Sequence, residues 1–412
     1  MQLIEKLTKK ATRHISRLLF VVLILCQVIS FGFTEYDSDN LYSYQWGLKN
    51  NGNFFVDRSL LASNHTPFYF NKSINDLLFF DSADYIEYFR VVGNIMNTAY
   101  ALSGFDINWE MGYKFFQSNP AKRETVIAVI DTGVDINHFE LKDSVWTNLN
   151  EIPNNGIDDD LNGYIDDIHG YNFHHGNGNV FVDPVIDVHG THAAGIMVAK
   201  HDNQGIKGLA YDRHIKIMPL KVLDVNENGY VSSVVNAIIY ARNNGASICN
   251  LSLGSYKYSE SIDNAIRSCP DMIFVVAAGN GANFNGYSLD ENDVYPAKLN
   301  YSNIITVSNA CFDQTRYVSA NYGSYVDVFA PGTFILSTTP SDTFAYLTGT
   351  SMAAPFVSAV CAMIHSRFPN APASLYKNII INGATPIYNL MGLSKSSGML
   401  NVYNSLVIAS NF

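Results

Sequence analysis

From Thr125 onward the chain alternates short apolar runs with stretches in which apolar residues recur at helical spacing. The runs 126–130, 215–222, 247–253, 273–278, 303–307 and 325–329 are rich in β-branched residues and lack strict apolar/polar alternation. Strands buried on both faces read this way, as in a largely parallel sheet covered by helices. Segments 189–200, 231–244, 259–267, 351–367 and 373–381 predict those helices. Upstream, residues 34–118 give no comparable period. They carry Phe54, Phe55, Phe68, Tyr69, Phe70, Phe79, Phe80, Tyr85, Tyr88 and Phe89, an aromatic surface that is expected to pack on something rather than to cage a ligand. No internal repeat is found.

The extreme N-terminus has its own pattern. Lys6, Lys9, Lys10, Arg13 and Arg17 precede an apolar run from Leu18 to Phe33, with small Ser30 and Gly32 at cleavage offsets. This reads as a secretory signal over residues 1–32, or as an anchor if it is not cleaved, although the run is short for a membrane span of roughly 20 residues. A linker, 33–44, follows, and the rest of the chain, 45–412, reads as one domain with an aromatic insertion at about 53–104.

Composition narrows the function. The 412 residues are 47% apolar and 15% charged, enough to bury a sizeable core, and the formal charge of −11 with no basic run past the N-terminus argues against nucleic acid as a partner. Outside the signal stand Cys249, Cys269, Cys311 and Cys361. Cys249 and Cys361 fall in buried-looking elements as core thiols, whereas Cys269 and Cys311 sit at element ends where a disulfide is conceivable. The sequons at Asn64, Asn71 and Asn300 are candidate glycan positions; a fourth, at Asn250, lies inside a strand.

Chemistry collects at strand exits and helix starts, where ligands gather in open parallel sheets. The first long strand ends in Asp131-Thr132-Gly133, and His189-Gly190-Thr191-His192 opens a helix. The strand ending at Ala278 runs into Gly279-Asn280, and Gly349-Thr350-Ser351 leads into the apolar run from Phe356. Taken singly, each is as well explained as a turn or cap residue. Together they supply a hydroxyl, an imidazole, a carboxylate and a primary amide, the groups that nucleophilic acyl transfer needs. Ser351 would attack, His189 would carry the proton, Asp131 would hold the imidazole, and Asn280 with the Ser351 backbone N–H would bind the oxyanion.

In their order and spacing these motifs resemble the subtilisin-like serine peptidases, from about Thr125 to about Pro369. The resemblance implies a doubly wound, three-layer α/β sandwich with a mainly parallel central sheet, and a broad-specificity serine endopeptidase acting on polypeptides. It implies that an extended peptide is bound between Asn228-Gly229 and Ser252-Leu253-Gly254. Ala278, Gly279 and the loop to Pro296 would wall the pocket for the residue before the scissile bond. Val294 would lie near the floor of that pocket and make it shallow. In the family pattern the first histidine of His-Gly-Thr-His is catalytic, which leaves His192 to pack behind it.

A second chemical signal is the acidic loop 155–167. Asp158, Asp160 and Asn162, a glycine at the sixth position and Asp166 at the ninth resemble an EF-hand-type calcium loop, with His169 where a bidentate glutamate would be. So many carboxylates repel one another unless a cation intervenes. The family resemblance implies a further calcium site at Gln45, Glu140 and Asp202, with carbonyls of Lys200, Gln204 and Ile206. The expected protein is therefore a secreted, calcium-stabilised, monomeric endopeptidase, in contact with a membrane only if residues 18–33 remain as an anchor. Too few residues separate the signal from Gln45 for the folding propeptide usual in secreted relatives, and the aromatic insertion is a candidate for part of that role. A catalytically silent calcium-dependent binding scaffold and an esterase are the competing classes. The first need not retain all four catalytic groups; the second lacks its G-x-S-x-G elbow around Ser351.

Overall fold

In a computed structural model of the chain the described residues are 41–50, 55–57, 98–100, 102–224, 228–281 and 285–412. They belong to one compact unit, Asp39–Phe68 with Gly93–Phe412. The signal, most of the linker and most of the aromatic insertion lie outside the described residues, as do Asn64 and Asn71.

Short strands β1 (Phe55–Asp57) and β2 (Thr98–Tyr100) pair antiparallel across the insertion. Helix α1 (Trp109–Ser118) follows, then β3 (Thr125–Asp131), β4 (Tyr171–Asn172), α2 (Val188–Val198), β5 (Ile215–Lys221) and α3 (Val231–Asn243). Next come β6 (Ile248–Leu251), α4 (Glu260–Arg267), β7 (Ile273–Ala277), β8 (Ile304–Ala310), β9 (Val328–Pro331), β10 (Ile335–Thr339) and β11 (Thr343–Leu347). The chain closes with α5 (Thr350–Arg367), α6 (Ala373–Gly383), β12 (Thr385–Pro386), β13 (Gly398–Met399) and α7 (Val402–Ala409).

Nine strands form one sheet in the order β12-β13-β9-β8-β7-β6-β3-β5-β4, parallel throughout except for the β12–β13 pair. Every residue of β3, β7 and β8 is buried; their runs are mainly apolar, and in β8 the hydroxyls of Thr306 and Ser308 donate to the Ala297 and Asn321 carbonyls. On one face Val126, Ala128 and Ile130 pack with Ala237 and Ile238 of α3 and with Met218 and Phe274. Helix α5, buried along almost its whole length, crosses β6 to β9, and small Ala353, Ala354, Ala359 and Ala362 allow that close approach.

Two predicted details change, the thiol pair and the unpatterned region, whereas the Asn250 sequon lies inside its strand as expected. Cys269 and Cys311 are both buried free thiols: Cys269 lies in the main core beside Cys249, while Cys311 sits in a separate cluster with Tyr317 and Ala320, so the conceivable disulfide does not form. Asn250 is fully buried and hydrogen-bonded to Ser252 and Ser358, which leaves its sequon inaccessible. The region that gave no period contains α1, which buries Trp109, Gly112 and Phe116 on one stripe; a β-carbon at Gly112 would meet Val402 of α7 at 2.6 Å, so only glycine admits the contact. Among the described residues no helix is long and apolar enough to cross a membrane.

Candidate active site

Strand β3 delivers Asp131 at its carboxyl end and helix α2 presents His189 in its first turn. Two glycines make their approach possible. A β-carbon on Gly190 would stand 2.2 Å from the Gly133 carbonyl, and Gly133, at φ 122°, would meet Asp187. The result is a hydrogen bond of 2.7 Å between His189 Nδ1 and Asp131 Oδ1, an oxygen that also accepts the Thr132 N–H at 2.7 Å. Asp131 is 1% exposed, so the ion it can form with the imidazole is sheltered from water.

Ser351 stands in the first turn of α5, where unpaired N–H groups and the helix dipole favour developing negative charge. Its Oγ donates to the Ser252 carbonyl at 3.2 Å, and Ser252 Oγ donates back to the Ser351 carbonyl at 2.9 Å. The second bond has a sequence cause. Pro355, four residues on, has no N–H to give that carbonyl, so a side chain takes the place of the helix bond. Behind Ser252 a buried chain continues through Asn250 Nδ2 (3.0 Å) to Ser358 Oγ (2.7 Å).

Asn280 faces the same space. Its Oδ1 accepts the Thr350 N–H at 3.2 Å, while Thr350 Oγ1 accepts the Gly279 N–H at 3.1 Å, so the amide nitrogen turns outward. A β-carbon on Gly349 would lie 3.5 Å from Asn280 Nδ2 and 3.7 Å from the Ser351 nitrogen. Both donors thus border one space, clear because residue 349 has no side chain. Val294 Cγ1 lies 3.2 Å from where a Gly279 β-carbon would be and 3.5 Å from the same point on Gly254, and so fills the gap between those backbones. Asn321, unnoticed in the sequence, braces this wall: it donates to Ala278 O at 2.9 Å and accepts from Tyr287 N at 2.8 Å. Leu253 packs half-buried against the main core. The segment holding Asn228 and Gly229 bridges back to Leu223, whose neighbour Val222 donates to the Asp131 carbonyl at 2.9 Å.

His192 is fully buried and donates through Nε2 to the carbonyls of Ile335 and Ala345, tying α2 to the β10–β11 hairpin; burial pushes its pKa down to about 3. It is therefore held neutral behind the site.

Known proteins match this chain along most of its length. The model of the subtilase family matches residues 122–402. The chain belongs to the subtilase family. It is 31% identical over 303 residues to subtilisin-like protease 1 of Plasmodium vivax, covering 69% of this chain and 47% of that one. It is also 31% identical to subtilisin DY of Bacillus licheniformis, across 67% of this chain and 88% of the relative. A solved structure of proteases from Pseudoalteromonas arctica superposes with a TM-score of 0.58 at 25% identity, covering 74% of this chain and 94% of that one. The chain spans about half the length of the Plasmodium relative.

The acidic loop assembles differently from the EF-hand-like expectation. Asp158 accepts the N–H groups of Asn162 and Gly163, Asp166 accepts those of Asn155 and Gly156, and Asn162 Oδ1 caps Tyr164. Those side chains fold the loop onto itself. His169 turns away to the Trp146 carbonyl at 3.0 Å. The oxygens that converge, within 4.8 Å of one another, belong to Glu151, Asp160 and Asp167. Of these, only Asp160 is among the residues chosen from the sequence. Glu151 precedes the loop and Asp167 follows the chosen ninth position, so the twelve-residue template passes over both.

At the other expected site, Glu140 is 1% exposed, its Oε1 accepts the Ile206 N–H at 3.0 Å, and its Oε2 has no hydrogen-bond partner among the described residues. Burial pushes its carboxyl up to about 8. Asp202 Oδ1 caps Gln204, and both ends of the Gln45 amide bond to Lys207.

Proposed function

We propose that the chain is a secreted serine endopeptidase of broad specificity. The observations that carry this reading are the Asp131–His189 hydrogen bond of 2.7 Å and, at the start of α5, a serine whose backbone N–H shares one glycine-cleared space with the Asn280 amide. Ser351 Oγ is too weakly acidic to attack an amide unaided. Its hydroxyl turns from the Ser252 carbonyl towards His189, gives up its proton as the Oγ–carbonyl carbon bond forms, and leaves an oxyanion for Asn280 and the Ser351 N–H. His189 then protonates the leaving amine, and water repeats the sequence on the acyl-enzyme. Asp131 fixes the tautomer and balances the imidazolium throughout.

The substrate lies extended between residues 228–229 and 252–254, bound through its backbone, which makes few demands on side chains. Val294 favours small residues before the scissile bond. Calcium is the cation the donor chemistry suits: among the described residues Glu151, Asp160 and Asp167 offer hard oxygens without a neutralising base, and Glu140 is a buried carboxyl with an unsatisfied oxygen. The first three would hold one ion, and Glu140 with Asp202 and neighbouring carbonyls another; bound calcium would supply positive charge that cross-links loops. The test is casein hydrolysis by chain lacking residues 1–32, beside Ser351→Ala, each with calcium and with chelator. Activity in folded Ser351→Ala equal to that of the parent would overturn the reading.

A further inference from the structure

One buried cation joins the parts of this cleft. In the parallel register of β3 and β5, Lys221 lies directly beside Asp131. Its side chain is 1% exposed, and its ammonium has three donors, all of them used. One goes to the Thr132 carbonyl, in the turn just after Asp131; one to Asp187 Oδ1 at 2.7 Å; one to the Leu223 carbonyl at 3.1 Å. Asp187 is fully buried, precedes α2 by one residue and His189 by two, and its other oxygen accepts the N–H groups of Val182 and Asp183. Leu223 bridges to Gly229 on the substrate-binding edge. Thr132 Oγ1 also accepts the Gly190 N–H at 3.0 Å, which closes the circuit from catalytic strand to histidine helix.

A buried ion pair is weak support for stability, because desolvating both charges offsets most of their attraction. Its value here lies in what the three bonds define. The carboxylate turn, the start of the histidine helix and one edge of the substrate groove are separate segments, and Lys221 bonds to each of them.

Resting on the assignment of Asp131, His189 and Ser351, we propose that Lys221 and Asp187 are positioning residues that set the Asp131–His189 geometry and couple it to the substrate-binding edge. They touch neither the substrate nor the reacting atoms.

The test uses the double variant Lys221→Met/Asp187→Asn, which removes both buried charges together and so leaves the net charge beside the imidazole unchanged. Asp131, hydrogen-bonded to His189, and His192, whose charge acts on it, both remain in this variant. With the Thr132 turn unpinned, Asp131 supports the imidazolium less well. The expected result is a fall of at least tenfold in kcat/KM in folded protein, with the acid limb of its pH profile displaced to lower pH. The equally charge-neutral pair Lys221→Gln/Asp187→Asn, which keeps polar groups in place, is read in the same way if the first double variant does not fold. A folded variant with kcat/KM within threefold of the parent and an unmoved acid limb overturns the proposal, whatever its melting temperature. Parent activity that survives Ser351→Ala overturns the underlying assignment as well, which separates the two failures.

Discussion

The catalytic turn and the acidic loop both crowd carboxylates into a small volume, and they handle the charge in opposite ways. Around Asp131 each acid meets a specific partner: Asp131 the imidazole of His189, Asp187 the ammonium of Lys221. In the loop, Glu151, Asp160 and Asp167 converge while, among the described residues, no lysine or arginine pairs with any of them. The partners there are backbone N–H groups, the amides of Asn148 and Asn162 and the Tyr240 hydroxyl. The first region is assembled by the chain alone. The second is organised but left electrostatically open, which suits a cation from solution. Chemistry should therefore respond to changes in the first region, and stability to changes in the second.

The largest expected effect is on chemistry. Asn280→Ala should lower kcat by roughly 10²–10³, the loss typical of one oxyanion donor, with KM and the melting temperature little changed. Stopped-flow and steady-state hydrolysis of a peptide amide would measure it; an equal loss in KM would mean that Asn280 only binds the ground state. Calcium should separate the regions in the opposite sense. Raising free calcium to about 100 times its Kd should stabilise the fold by about 2.7 kcal/mol, and Glu151→Gln should remove much of that gain while kcat stays within a few-fold of the parent. Differential scanning calorimetry across a calcium titration reads this directly. A calcium-independent melting curve would close the loop's electrostatic argument.

Acid should lower stability through the packing behind these regions. His192 and His365 are buried with pKa values pushed down to about 3, against 6.5 in the unfolded chain. As pH falls below 6.5 the unfolded state takes up protons that the folded state refuses. Stability should therefore drop by about 1.4 kcal/mol per pH unit for each histidine, down towards pH 3. Urea midpoints between pH 7 and 5 measure the slope, and His365→Gln should flatten it. The last effect, and the smallest, is on preference: Val294→Gly should leave turnover of alanine substrates nearly unchanged and improve kcat/KM for phenylalanine before the scissile bond by up to about 10-fold.

Much of this was legible in the chain itself, for a physical reason. Strands that are buried on both faces carry mainly apolar, β-branched runs, so β3 and β5 to β9 announce themselves, and the groups proposed as catalytic follow because they stand at the ends of those strands and at helix starts. What stayed hidden depends on partners distant in sequence. Helix α1 buries a stripe of Trp109, Gly112 and Phe116, but the contact that requires its glycine is with Val402, far along the chain. Ser337 and Thr338 of β10 look like surface residues and are buried because their hydroxyls bond the carbonyls of His192 and Thr191. Glu151 and Asp167 join Asp160 only once the loop has folded on its own Asp158 and Asp166. Lys221 reads as a charge closing an apolar strand; nothing nearby in sequence announces Asp187 as its counter-ion.

The most direct test of the account is fluorophosphonate labelling of the chain lacking residues 1–32, with the adduct mapped by peptide mass spectrometry. The reagent needs a hydroxyl activated by a neighbouring base and an oxyanion site, which is what Ser351, His189 and Asn280 are argued to provide together. The account predicts one adduct per chain, on Ser351, lost in folded His189→Ala. A folded, calcium-loaded chain that takes up no label, or takes it up on another residue, would contradict it.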